Sequence, residues 1–170
     1  MIPLPEKQYS RNPILSDPLA LSPKAFIMIT KLAHVTLFVQ DQQKAYDFYV
    51  TTLGFKVNTD AKMENGFWWL TVTPPDQPDL EIALLCPFND TMYQDPEVRA
   101  AFKTLLDKGA LGAGVLYTPD CRATYEELKA KGVVFKSEPK EQFYGIEAVV
   151  TDGIGNWFSM TQPSARAPMS

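Results

Sequence analysis

His34-Val35-Thr36-Leu37-Phe38-Val39-Gln40-Asp41 is the stretch on which the fold turns. With Leu32-Ala33 ahead of it, the segment alternates. Val35, Leu37 and Val39 point one way, and His34, Thr36 and Phe38 the other, which is the period of a strand. Asp41 ends it and belongs to the residue types that cap a helix. The spacing then predicts a helix over about 42–52, with Ala45, Phe48, Tyr49 and Leu53 on one face, stopped by Gly54.

Working outward, Phe55-Lys56-Val57 begins a second strand, Phe67–Val72 forms a third and Leu80–Leu85 a fourth, with Pro74-Pro75-Asp76-Gln77-Pro78 as the tight connection between the last two. The order is β-α-β-β-β. A helix is expected near Pro96–Lys108, with Gly109 after it. The pattern then starts again. Ala113–Thr118 reads as a strand, Asp120 stands where Asp41 stood, and a helix follows to about Lys131. Gly132 takes the place of Gly54, Val133-Val134-Phe135 echoes Phe55-Lys56-Val57, and Glu147–Thr151 and Trp157–Thr161 are the closing strands. Asp41 and Asp120 are 79 positions apart, Gly54 and Gly132 are 78 apart, and agreement to one residue marks an internal repeat. The fold class is therefore α+β: two tandem βαβββ modules whose curved mixed sheets enclose a groove. Each module alone would expose a sheet face, so modules must pair, within one chain or between chains.

The divisions that follow are an irregular N-terminal arm (1–27), a first module (28–88), a helical linker (89–110), a second module (111–163) and a C-terminal tail (164–170). The arm holds five prolines, and Met28 opens the strand pattern and could be the natural start. No run of 18 apolar residues suggests a membrane span. With 16 basic against 20 acidic residues the net charge is −4, which argues against a nucleic-acid partner. Cys86 and Cys121 lie far apart and form no CxxC, so a disulfide framework or thiolate zinc site is not expected, and buried reduced thiols of a cytoplasmic protein are. A single histidine, His34, rules out any metal site that needs two from one chain.

The segment His34–Asp41, with Ala45-Tyr-Asp-Phe-Tyr49, Leu53-Gly-Phe55, Leu80-Glu-Ile82 and Asp152-Gly-Ile-Gly-Asn-Trp-Phe-Ser159, resembles the vicinal oxygen chelate superfamily, the glyoxalase / bleomycin resistance / extradiol dioxygenase fold. The resemblance covers about residues 31–163. It implies metal ligands on the first and last strands of each module. The matching first-module positions are His34 and Glu81. Carrying the repeat offsets over gives Ala113 and Ser159 as their second-module counterparts, neither of them a good ligand for a divalent ion. Half of the ligand set is kept, while glyoxalase-type, fosfomycin-resistance-type and extradiol-type sites use at least three protein ligands. The cofactor to look for is a divalent ion (zinc, nickel, manganese or iron), and the residues leave open whether one is held.

His34 and Glu81 are the candidate catalytic pair, as a metal half-site or as an imidazole–carboxylate acid/base pair. Thr36, Phe38, Trp69, Tyr117 and Ser159 are the candidate substrate-binding residues. Trp68 and Trp69 are adjacent on a strand, so one faces the helix layer and the other the groove. Tyr117 alternates with Ala113 and Val115 and is expected to line the cavity beside His34. Glu147 aligns with Trp69, and the wet sheet face is its expected place rather than the cavity. Three functions stand open: a glyoxalase/bleomycin-resistance-like protein binding a small organic molecule in an aromatic-lined groove, a metal-dependent lyase, isomerase or dioxygenase using His34 and Glu81, and a non-catalytic dimeric interaction module. Open curved sheets leave edges that need cover, which favours a homodimer.

Overall fold

The computed structural model describes residues 31–89 and 91–165. The arm over 1–27 and Met28 lie outside the described residues, as does the tail beyond 165. The elements run β1 (His34–Phe38), α1 (Gln42–Tyr46) continued by a wider π-helical segment (Asp47–Thr52), β2 (Lys56–Lys62), β3 (Trp68–Thr73), β4 (Glu81–Leu85), α2 (Pro96–Asp107), β5 (Leu111–Tyr117), α3 (Cys121–Ala130), β6 (Phe135–Gln142), β7 (Gly145–Thr151) and β8 (Asn156–Pro163). They build two mixed four-stranded sheets, ordered β1-β4-β3-β2 and β5-β8-β7-β6. In each, the first strand pairs parallel with the last, and the other pairings are antiparallel. Neither sheet closes into a barrel.

The repeat extends to backbone detail. Asp41 caps α1 at φ −142°, ψ 112°, and Asp120 caps α3 at φ −142°, ψ 103°. Asp41 Oδ1 accepts from the Gln43 and Lys44 amides at 2.9 and 3.1 Å, and Asp120 Oδ1 from the Ala123 amide at 2.9 Å. Gly54 and Gly132 follow their helices at φ 77° and 85°, a region that other residues enter only at a cost.

The first helix departs from the expected regular form after Tyr46. Bonds reach back five and six residues, from the Leu53 amide to Phe48 O and from the Phe55 amide to Tyr49 O. Val50-Thr51-Thr52 is a β-branched run that fits a tight α-turn poorly.

Side-chain parity divides each sheet. One face carries the helices and the core: Val39, Leu70, Val72, Ile82 and Leu84 under Ala45 and Tyr49, and Ala148, Val150, Phe158 and Met160 under Cys121, Tyr125 and Leu128. Complete burial of such side chains stabilises by roughly 1.5–3 kcal/mol each. No buried side-chain nitrogen or oxygen among the described residues lacks a hydrogen-bond partner. The opposite face, called inner below, carries His34, Thr36, Trp69, Thr71 and Glu81 in the first module and Tyr117, Glu147, Trp157 and Ser159 in the second.

The seam between the modules is polar. Asp152, buried, accepts from the Ile154 and Asn156 amides through Oδ1, and from Asn156 Nδ2 and the Tyr49 hydroxyl through Oδ2. The Asn156 amide group also donates to Phe38 O at 3.0 Å, and the Gln40 amide to Ile154 O at 3.2 Å. The turn Asp152–Asn156 therefore grips both β1 and the first helix.

Candidate functional site

On the first inner face His34 and Glu81 lie side by side because β1 and β4 are parallel neighbours in register at these residues. His34 Nε2 is 3.1 Å from Glu81 Oε2, with side chains 38% and 28% exposed. The other carboxylate oxygen accepts from the Thr71 hydroxyl at 2.6 Å, and Thr71 Oγ1 in turn accepts from the Thr59 amide. Trp69 meets the His34 ring edge-on at 5.6 Å, with Phe67 stacked beyond it at 6.4 Å. Trp68 faces the other way, its indole donating to Asp60 at 2.7 Å. Thr36 is exposed between His34 and Phe38. Phe38 is covered by the linker: the Phe102 ring of α2 lies 4.6 Å away and Tyr93 6.2 Å. Thr36 and its strand partner Ala83 thus stand between a polar end at His34 and an aromatic end at Phe38.

The second inner face forms a cavity of about 570 Å³, lined by Gly112, Tyr117, Tyr144, Glu147, Trp157 and Ser159 among others. All of its walls come from the second module. Tyr117 is one of its walls, and His34, beside which Tyr117 was expected, is not. Trp157 lies flat over Gly112, where a Cβ would fall 2.8 Å from the indole. Glu147 overturns the expectation that set wet face against cavity. The helices cover the outer face, so the solvent-open face and the cavity face are one and the same, and Glu147 lies on it. Its Oε2 accepts from the Tyr144 hydroxyl at 2.8 Å and its Oε1 from the Ser159 hydroxyl. Ser159 Oγ in turn lies 2.8 Å from Thr161 Oγ1. Since the Ser159 proton is committed to the carboxylate, Thr161 must donate to Ser159, giving a directed chain of hydroxyls. The bond to Glu147 raises the Tyr144 phenol above its ordinary value.

Strand register corrects one carried-over position. Phe38 pairs with Leu85 and Tyr117 with Thr161, so the counterpart of Glu81 on β8 is Trp157, and Ser159 answers to Ala83. The cause is the β7–β8 turn, Asp152–Gly155, which is shorter than the β3–β4 connection, so the helix-derived offset fails past it. The residues do not fit a three-ligand metal. His34 and Glu81 face Ala113 and Trp157 in the repeat, and no group of three or more His, Cys, Asp or Glu side chains is placed to hold an ion among the described residues.

The family model of the Glyoxalase/Bleomycin resistance protein/Dioxygenase superfamily matches residues 31–160. The chain belongs to that superfamily. The Bacillus subtilis (strain 168) protein YurT is 33% identical over 132 residues, 78% of this chain and 98% of that protein. Among solved structures, UcmS2 is similar at 43% identity with a TM-score of 0.71, over 79% of this chain and 98% of that one. TnmS3 from Streptomyces sp. CB03234, described as an antibiotic binding protein, is similar at 32% identity with a TM-score of 0.61, over 81% and 99%. The superfamily's two-module α+β fold is the one described above. No helix among the described residues is long and apolar enough to cross a membrane.

Sequence reasoning counted Tyr144 and Trp157 among the pocket aromatics, and it missed Thr71 as the hydroxyl that holds Glu81. Alternation held the signal for Thr71, which shares parity with Trp69.

Proposed function

We propose that this protein binds a small organic molecule on its inner faces, without a complete metal site, and that it does so as a cytoplasmic homodimer. One observation carries the reading: the second-module cavity combines aromatic walls, Tyr117 and Trp157, with a few fixed polar groups, the usual make-up of a small-molecule site. Its openness in the single chain supports the dimer. Tyr117 is 72% and Val115 59% exposed, so a first-module face from a second copy, bringing Thr36 and Trp69, would complete the groove opposite Tyr117 and Ser159. The likeness to TnmS3 supports a ligand of the antibiotic class.

The test is a thermal-shift screen of small aromatic compounds and antibiotics, beside light scattering of the free protein. A ligand at a hundredfold its Kd adds about 2.7 kcal/mol, or a shift of roughly 5–10 °C for a chain this size. The expected result is a twofold chain mass and a hit whose shift disappears in Tyr117→Ala. A monomer that no compound stabilises would overturn the reading.

A second reading rests on the His34–Glu81 contact, which could serve acid/base chemistry or a metal half-site. Metal content of protein purified without chelator, beside His34→Ala, tests it. Stoichiometric metal lost in the variant would favour it, and metal-free protein unmoved by added ions would remove the metal arm.

A further inference from the structure

The two inner faces each carry a carboxylate, and the two are held differently. Glu81 has a partner able to carry positive charge, His34, at 3.1 Å. Glu147 has only hydroxyls: Tyr144 on one oxygen, Ser159 on the other. It makes no salt bridge among the described residues. Lys140 stands opposite it on β6 without forming an ion pair. Lys136, also on β6, donates to Gly109 O at 2.6 Å and lies over the Trp157 ring. A half-buried carboxylate that no cation contacts costs stability, and two hydroxyl donors fill only half of its acceptor sites. The remaining sites are open to the cavity that Tyr117 and Trp157 wall.

We infer that Glu147 is the anchor for a protonated amine on the ligand, so the preferred occupant of this cavity is a flat aromatic body carrying an ammonium group. This rests on the small-molecule reading above and narrows it to a ligand class. Tyr144 and Ser159 are positioning residues: their hydroxyls fix both carboxylate oxygens, and Thr161 donates into Ser159 from behind. The charge-assisted bond supplies the selectivity, because it is roughly twice as strong as its neutral counterpart. The aromatic walls add cation–π attraction of the same sign.

The test uses a matched probe set on the full chain: 2-naphthylmethylammonium, 2-naphthylmethanol and 2-naphthoate. Binding is read by amide chemical shifts of β5 and β8, with Glu147→Gln and Tyr144→Phe beside the wild type. The expected result is that the ammonium binds about tenfold tighter than the alcohol and the carboxylate weakest. In Glu147→Gln, a near-isosteric change whose fold the same spectra check, the ammonium and alcohol should bind alike. In Tyr144→Phe the preference should shrink without vanishing. Equal binding of ammonium and alcohol to the wild type, or a preference surviving Glu147→Gln, overturns the inference and leaves the pocket reading intact. No shift on β5 or β8 with any probe at millimolar concentration overturns both.

Discussion

The Tyr49 hydroxyl, in the first-module helix, donates to Asp152 Oδ2, in the last turn of the second module, at 2.9 Å across 103 residues of chain. Both side chains are buried. Asp152 gathers three further donors from its own turn, so this bond ties a rigid acceptor to the opposite module. Tyr49→Phe should destabilise the chain by about 1–3 kcal/mol, the cost of leaving a buried acceptor short of a donor. Urea unfolding of the two proteins checks it, and an unchanged midpoint would show that the bond contributes nothing.

The same pair sets an alkaline limit. Burial first, then the negative charge of Asp152, pushes the Tyr49 phenol far above its ordinary value of 10.0. A group whose folded-state value is raised contributes stability that is fully present below the unfolded value and declines as pH climbs beyond it. Stability should therefore fall above about pH 10, as Tyr49 ionises in the unfolded chain and stays neutral in the folded one. Tyr49→Phe should flatten that decline relative to wild type, read as ΔG of unfolding between pH 9 and 11. Parallel curves would remove Tyr49 as the cause.

Gly155 lies close against Leu106 of the linker helix. A Cβ there would fall 2.3 Å from Leu106 Cδ2 and 3.0 Å from its Cα, at φ 124°. Gly155→Ala combines overpacking with an unfavourable backbone, and a loss of about 2–4 kcal/mol is expected. Because the first clash is with a side chain, Gly155→Ala with Leu106→Ala should cost less than the sum of the two single changes. Strict additivity in a double-mutant cycle would contradict the contact.

The repeated caps should differ in strength. Asp41 accepts two amide bonds and Asp120 one. Replacing either by Ala should cost on the order of 1 kcal/mol, with Asp41→Ala the larger. Denaturant midpoints rank them, and a larger loss from Asp120→Ala would reverse the argument.

The order of the strands, the caps at Asp41 and Asp120, and the opposite aims of Trp68 and Trp69 were all readable from local pattern, because each depends on neighbours a few residues away. Two features were not. The counterpart of Glu81 depends on the lengths of two hairpin connections, and an offset measured on helices carries no information about them. The covering of Phe38 by Phe102 depends on the path of the linker, which alternation within β1 does not encode. Glu147 falls between these cases. Ala148 and Val150 alternate with it towards the core, so its face was legible, while the role of that face was not.

Seen as a duplicated unit, the molecule has acquired a direction. The aspartate that closes the seam comes from the second copy and the phenol it holds from the first. At the 79-residue offset Leu128 stands where Tyr49 stands, and a leucine has no proton to offer. The halves are thus keyed like bolt and socket rather than as twins. Two second halves could not rebuild this joint, so the symmetry of the repeat survives in the outline of the strands and is absent from the fastening.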